Sequence, residues 1–591
     1  MLPRQANLKN PVNTAARTKF LYGAILLVCG LILIRLFYVQ VIKHSYYKGA
    51  AFAGQFKEYE IPATRGIIEA HNGDQVVPIV LNEPKYTVFA DPKHVDDAAK
   101  AAEAVVQIIG GDKAELESKM RADTRYSVLA KKLSKEQAER IDALEEKGIG
   151  TREQQYRTYP QGSLAANVLG FVNDEGEGKY GLEQYLDEKL RGTPGQLRAI
   201  TDANGVPLVA NEDNVVTEPT EGRRVVMTLD IAMQKQLEDI LRNGLKRAKS
   251  KSGSALIMEI NSGAVRAMAS YPTYNPAEFF KQSDANVFNN INVSDPLEVG
   301  SIMKPLTTAA ALDQGAVTIN SSYFDPGFFK VDGATINNVE EVAGSGTRTV
   351  PDILERSLNT GATWLLMQMG GGKINEQARL RWHDYMVNHY RFGKPTGIEQ
   401  GFESAGTVPD PKDGFGLNIT FANTAFGQGM LNTPLQMAAA DASVLNGGTY
   451  YRPRLVDSTT DHEGNEVKTQ PEVLVENVVK DSVSRDIINM MEGVVKRNYL
   501  VYGFSSLRDN YRIGGKTGTA QIAKPGGGYY DDRFNGTFTG FVGGNKPQYI
   551  IVVRVNEPGI PGYAGSQAAG PIFAGLANML IDNFNVVPKG N

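Results

Sequence analysis

Three short strings constrain the fold of this chain more than anything else in it: Ser301-Ile302-Met303-Lys304, Ser357-Leu358-Asn359 and Lys516-Thr517-Gly518, in that order. They make chemical sense together only if three segments far apart in sequence converge on one point. Taken singly each is weak, since S-x-x-K also occurs at Ser45-Tyr46-Tyr47-Lys48. The local context strengthens them. Gly300 precedes Ser301, and Lys304-Pro305-Leu306-Thr307 and the apolar run Ala309 to Leu312 follow it, which predicts a helix starting at the serine. Such a helix puts Ser301 and Lys304 one turn apart on one face, with free backbone N–H groups at its N-terminus. Lys516-Thr517-Gly518-Thr519 follows Gly514-Gly515 and precedes strand-like runs at Thr537 to Val542 and Tyr549 to Val555. It therefore reads as a β-strand whose glycines let a substrate backbone come close.

The residue types point to acyl transfer. A serine hydroxyl is a weak nucleophile until a neighbouring base takes its proton. Lys304 serves as that base only if burial and a nearby cation bring it down from an ordinary pKa of about 10.4. Lys516 is the candidate cation. Ser357 would relay the proton between Lys304 and the leaving amine, and Asn359 would hold Lys304 and the substrate amide. Thr517 and Thr519, with Gly518 between them, would bind a terminal carboxylate. The backbone N–H groups of Ser301 and Thr519 would form an oxyanion hole, worth roughly 3 to 4 kcal/mol per donor.

Other chemistries fit less well. Gly515-Lys516-Thr517 read alone suggests a phosphate loop, but the glycine such a loop needs five residues earlier is Asn510. The six histidines form no H-E-x-x-H pair, and no serine sits in a G-x-S-x-G elbow. No metal or cofactor is expected. A net charge of −4, from 62 basic and 66 acidic residues, offers no stripe for nucleic acid. The lone Cys29 makes no intramolecular disulfide.

With these residues in view, the chain resembles a class B penicillin-binding protein, the monofunctional peptidoglycan DD-transpeptidase of bacterial walls, whose S-x-x-K, S-D-N and K-T-G set the three strings resemble. Arg65-Gly66-Ile67-Ile68 with Asn72-Gly73 is similar to the family's first signature. Arg157-Thr158-Tyr159-Pro160 with Gly162, Gly170-Phe171-Val172, and Gly181-Leu182-Glu183 with Leu190, Gly192 and Gly195 resemble its pedestal motifs. Thr396-Gly397-Ile398, Gly427-Gln428-Gly429, Thr433-Pro434-Leu435-Gln436 and Asn446-Gly447-Gly448 resemble landmarks of its catalytic half. The resemblance runs from about Arg65 to Pro571. Ala70 and His71 stand where the first signature usually has Asp and Arg, so its usual salt bridge is not carried over. Val299 replaces a common proline, and Leu358 a frequent serine.

The resemblance implies a multidomain α/β (α+β) chain. It has a single N-terminal transmembrane helix, an elongated mixed pedestal, and a serine β-lactamase-like transpeptidase domain with a central antiparallel sheet flanked by helices. The expected boundaries are 1–19 for a cytoplasmic tail, 20–41 for the membrane helix, 42–217 for the pedestal, 218–580 for the transpeptidase domain and 581–591 for a C-terminal tail. Phe20 to Val41 spans about 33 Å as a helix, enough for a bilayer core, with Arg35 obliged to snorkel or to face a partner helix. Charge does not fix the orientation; the resemblance implies a cytoplasmic N-terminus and an extracytoplasmic body. The weaker rivals are a signal peptide cleaved after Ala51-Phe52-Ala53 and a lipoprotein at Leu27-Val28-Cys29. In the pedestal, Tyr86 to Phe89 is β-like, and Lys135 to Lys147 is a charged helical stretch. Glu218 to Gly222 reads as the junction, followed by a strand at Val225 to Leu229 and a helix from Ile231 to Lys246.

The expected reaction joins a stem peptide ending in D-alanyl-D-alanine to an amine of a second stem, with release of D-alanine. β-Lactams are expected to acylate Ser301. The expected partners are those peptides, the membrane, a separate membrane glycan polymerase and division-complex proteins. A septal role is expected because the chain is compact and lacks a long C-terminal extension, the alternative being side-wall synthesis. A β-lactam sensor or β-lactamase and a catalytically idle scaffold are the other readings.

Overall fold

The computed structural model describes residues 14–47, 56–200, 215–338, 344–461, 463–502 and 508–590. Ala51-Phe52-Ala53 and the first thirteen residues lie outside them. Two compact units emerge, one of Met1–Ala63 with Thr193–Thr220, the other of Thr64–Gly192 with Glu221–Asn591.

In the first unit, helix α1 spans Thr14–Phe37 and continues into a π-helical turn at Tyr38–Ile42. It begins earlier than the apolar stretch itself and is long and apolar enough to cross a membrane. Its large apolar side chains, Leu26, Leu33 and Ile34 among them, are exposed, the arrangement hydrocarbon permits because a helix satisfies its own backbone. Arg35 lies over the Tyr38 ring, 5.6 Å from its centre, and so leans towards the helix's C-terminal end. Strands Phe56–Ile61, Gly195–Ile200 and Val215–Thr217 form a three-stranded antiparallel sheet in that order.

The second unit begins with strands β1 (Ile68–Asn72), β2 (Gln75–Ala90), β3 (Ser127–Leu133) and β4 (Ile149–Thr158). β2 is long enough to pair with β1 at one end and with β3 and β4 at the other. The charged stretch after Ser134 is helical only over Lys135–Asp142, opened by a capping box between Ser134 and Gln137. β5 (Val225–Asp230) runs parallel to β1 and is flanked on its other side by Val456–Thr460, so one mixed sheet joins residues from early and late in the chain.

The early motifs converge on one buried carboxylate. Glu183 is fully buried; its Oε1 accepts from Arg157 Nε at 2.7 Å and its Oε2 from Arg65 Nη2 at 2.6 Å. Arg65 also reaches Asp187 at 2.8 Å, and Arg157 reaches Asn82 Oδ1 at 2.9 Å. His71 makes a different link, its Nε2 lying 3.3 Å from Asp457 Oδ2. That contact, with help from Arg454, holds the Asp457 carboxyl down at about 2. The segment with the altered signature thus still carries a polar tie, to the strand beside β5.

Helix α2 (Ile231–Ala248) is capped by Asp230, which accepts from Met233 N at 2.9 Å. Its buried Met233, Leu237, Leu241 and Leu245 recur every fourth residue and face the sheet. β6 (Ser252–Glu259) and β7 (Val265–Tyr271) open a five-stranded antiparallel sheet. Helices α3 (Lys304–Asp313), α4 (Asn359–Met369), α5 (Pro434–Leu445) and α6 (Asp481–Tyr502) follow. Between α3 and α4 lie two short ribbons made by β8 (Ser322–Asp325), β9 (Phe328–Val331), β10 (Ala334–Asn337) and β11 (Gly346–Thr349), in which β8 pairs with β11 and β9 with β10. The sheet is completed by β12 (Arg512–Ala523), β13 (Tyr529–Gly543) and β14 (Pro547–Asn556), and the order is β7-β6-β14-β13-β12. Alternate residues feed two cores: Ile257, Ile551 and Val553 pack with α2 and the last helix α7 (Gly570–Asn583), while Leu256, Ile550 and Val552 pack with α3, α4 and α5. Because both faces are covered, the strands read as apolar runs.

Glu183→Gln leaves two guanidinium groups around a neutral amide and should destabilise this unit by about 3 to 5 kcal/mol in denaturant unfolding. Loss of the half-exposed Arg452–Glu472 pair should cost less than about 1 kcal/mol. Asp441 on α5 gives a pH-dependent test. It is buried, and desolvation pushes its carboxyl up to about 7 against the opposing bond from Thr539 Oγ1 at 2.7 Å. An unfolded aspartate titrates near 3.9, so the folded chain holds an extra proton between these values, and stability falls as pH rises from about 4 to 7. Asp441→Asn abolishes that slope. Its stability relative to the parent should therefore rise by up to about 4 kcal/mol between pH 4 and 8, read from unfolding curves at both.

Candidate active site

The serine turn is shaped by its neighbours. Gly300 has φ of +65°, its N–H donates to Gly427 O at 2.9 Å, and a Cβ there would lie 3.0 Å from Thr519 O. A side chain would meet both an unfavourable backbone region and the facing strand. Gly300–Met303 forms a 3-10 turn, and the α-helix proper begins only at Lys304, with Pro305 in its first turn. This departs from the expected helix start and explains the contact better. Three residues per turn eclipse positions i and i+3, and Lys304 Nζ lies 2.9 Å from Ser301 Oγ. Ile302 and Met303 are buried and pin the turn, whereas Ser301 is half-buried.

Ser357 follows the short helix Val350–Glu355 and takes a left-handed conformation, φ +55°, which costs a non-glycine residue about 1 to 2 kcal/mol. Its carbonyl accepts from Lys304 Nζ at 2.6 Å. Its hydroxyl oxygen lies 3.2 Å from Lys304 Nζ and 2.9 Å from Lys516 Nζ. Leu358 is fully buried, so an apolar residue suits a position where the family often has serine. Asn359 Oδ1 accepts from Lys304 Nζ at 2.8 Å, and one of the two Nδ2 hydrogens is donated to Asn337 O at 2.9 Å.

The third string lies on β12, the edge strand of the five-stranded sheet. Lys516 is fully buried and also donates to Thr517 O at 2.8 Å. Thr517 and Thr519 are half-buried and alternate with the buried Lys516, Gly518 and Ala520. Thr519 Oγ1 accepts from Gly565 N at 3.0 Å. Gly518 differs from expectation: a Cβ there would fall 2.2 Å from Thr537 Oγ1 and 2.7 Å from Val299 O. The missing side chain therefore lets β12 press against its sheet neighbour and the serine turn, rather than making room for a substrate.

All the residues singled out from sequence stand in this one region. The sequence did not single out Glu298. Its Oε1 accepts from Gly429 N and Tyr529 Oη, both at 2.9 Å, tying the approach to Ser301 to a loop and to β13. Burial pushes its carboxyl up. A lone acid three residues before Ser301 in an apolar run was the only available signal.

The chain matches the penicillin binding protein transpeptidase domain over residues 253–578 and the penicillin-binding protein dimerisation domain over 60–227. It is 29% identical to stage V sporulation protein D of Bacillus subtilis, over 98% of this chain and 88% of that one. It is 27% identical to peptidoglycan D,D-transpeptidase FtsI of Escherichia coli, over 97% and 92%. Penicillin binding protein 3 of Mycobacterium tuberculosis, solved with aztreonam, is 25% identical with a TM-score of 0.67, covering 90% of this chain and 98% of that one. A peptidoglycan synthetase from Bifidobacterium adolescentis, 23% identical, shares the fold with a TM-score of 0.69 over 91% and 98%. Since the transpeptidase match alone spans more than half of the chain, and full-length similarity to class B proteins accompanies it, this protein belongs to the penicillin-binding protein transpeptidase family, in its class B branch.

Proposed function

We propose that this chain is a membrane-anchored peptidoglycan DD-transpeptidase that works through an acyl-enzyme at Ser301. The observation that carries the reading is the placing of Lys304 Nζ 2.9 Å from Ser301 Oγ, with a second lysine across the shared Ser357 hydroxyl. Two cations flanking one hydroxyl repel each other, and the reading requires Lys304 to be the neutral member of the pair.

In the proposed reaction Ser301 Oγ attacks the carbonyl carbon of the D-alanyl-D-alanine bond as its proton passes to Lys304. The backbone N–H groups of Ser301 and Thr519 hold the oxyanion. On collapse the C–N bond breaks, and the proton reaches the departing D-alanine nitrogen by way of Lys304 and Ser357. An acceptor amine then attacks the ester, gives its proton to Lys304, and Ser301 Oγ recovers a proton as it leaves. Thr517 and Thr519 bind the terminal carboxylate, beside the Lys516 charge, and the free edge of β12 lies along the substrate backbone.

The proposal places residues 1–19 in the cytoplasm, 20–41 in the membrane, a pedestal over 42–217 and the transpeptidase domain over 218–580 outside, with 581–591 as a tail. It further assigns a septal role, strands supplied by a separate membrane glycan polymerase, and division-complex partners. A fluorescent fusion that outlines the side wall instead of gathering at division sites would count against the septal part.

The chemistry is tested with a fluorescent penicillin and mass-spectrometric mapping of the adduct. Ser301→Ala should abolish labelling in a folded chain, and an adduct at another serine would overturn the assignment. Lys304→Arg should fail nearly as badly as Lys304→Ala, by about 100-fold or more, because arginine keeps the charge and cannot give up its proton.

A further inference from the structure

One buried carboxylate near the site has no part in this chemistry. Asp325, at the end of β8, is fully buried and gathers three donors: Gly327 N at 2.9 Å, Asn338 Nδ2 at 3.1 Å and Thr360 Oγ1 at 2.9 Å. Asn338 Oδ1 in turn accepts from Thr360 N at 3.1 Å and lies 3.0 Å from Thr360 Oγ1. Two members of this cluster adjoin the site in sequence. Thr360 follows Asn359, and Asn338 follows Asn337, whose carbonyl takes the Asn359 amide nitrogen.

We propose that Asp325 is a positioning residue for acyl transfer, which acts through Asn338 and Thr360 to hold the Asn337 carbonyl against Asn359 and so to set which end of the Asn359 amide faces Lys304. A side-chain amide has a donor end and an acceptor end, and a backbone carbonyl accepts only. With the Asn337 oxygen fixed, Nδ2 must turn to it, and Oδ1 falls 2.8 Å from Lys304 Nζ. If the carbonyl moves away, nothing enforces that orientation. A turned amide presents N–H groups to a nitrogen whose lone pair must stay free for the Ser301 proton, and Lys304 loses one of the acceptors that hold it beside Ser301. The two side-chain oxygens of Asp325 suit the task, because together they take the three bonds that lock two chain segments. The proposal rests on the reading of Lys304 and Ser301 given above.

The test separates the two. Thr360→Val removes the hydroxyl at nearly constant volume, and Thr360→Ser keeps it. Stopped-flow labelling with a fluorescent penicillin resolves the non-covalent dissociation constant from the first-order acylation step. The valine variant should acylate about 10-fold more slowly or worse, with a dissociation constant within about 3-fold of the parent, and the serine variant should match the parent in both. Asn338→Ala, at a half-buried position, should repeat the slowing and serves if the valine chain does not fold. Acylation within about 3-fold of the parent by either folded variant, or equal slowing by the serine variant, would overturn the proposal. Ser301→Ala runs alongside. If it is still labelled, the reading of the site itself fails; if it is silent while Thr360→Val and Asn338→Ala acylate normally, only the role of Asp325 falls.

Discussion

Two lysine side chains with no exposed surface share one serine hydroxyl, and the architecture around them follows from what that burial requires. A lysine amino group removed from water costs several kcal/mol when charged, and a smaller amount when neutral, unless its polar atoms find partners. Lys304 finds them in Ser301, in the Ser357 carbonyl and hydroxyl, and in Asn359; Lys516 finds them in Ser357 and in the carbonyl of Thr517. These acceptors come from the start of a helix, the approach to a second helix and the edge of a sheet. Each element is held where it is by other means: α3 by its apolar face, β12 by β13, and Ser357 by a backbone conformation that turns its carbonyl towards Lys304. The left-handed φ at Ser357 is a small stored strain offset by the bond its carbonyl accepts from Lys304 Nζ.

The polar frame has a second layer that keeps the first from relaxing. Val299 O accepts from Thr537 Oγ1 at 2.8 Å, Glu298 fastens the same segment to the Gly429 loop and to Tyr529, and Asp325 ties the inserted ribbons to the start of α4. None of these groups reaches Ser301. They decide how far the serine turn, the second string and β12 can drift apart, and site geometry is sensitive to displacements of well under an ångström.

The three strings were legible because each packs several chemical groups into three or four residues, in an order that a single domain can use. Single strands of the central sheet were legible for a related reason, since runs such as Tyr549 to Val553 are apolar on both faces, whereas their antiparallel assembly was expected from the resemblance. What could not be read were contributions without a side-chain signature. Asn337 acts through a backbone carbonyl, which any residue supplies. Gly518 carries a glycine for the sake of Thr537 and Val299, and sequence alone does not show which neighbour approaches closely. Asp325 and Glu298 are ordinary acids until burial and distant donors give them a task. Glu183 appeared as one motif residue among several, and its part in joining Arg65 and Arg157 depends on three segments folding together.

The parallel pairing of β1 with β5 has a consequence for how this molecule comes into being. Ile68 and Glu69 meet Val225 and Val226, and the next neighbour in the same sheet is Val456–Thr460. A ribosome has therefore made more than three quarters of the chain before that sheet can close. Until then β1 and β2 present an unpaired edge and an uncovered apolar face, in Ile68, Ala70 and Val80, to whatever surrounds the growing polypeptide. Such long-range pairing is slow, and exposed edges invite wrong partners. The folding of this chain thus calls for a delay during synthesis in which its early strands are shielded.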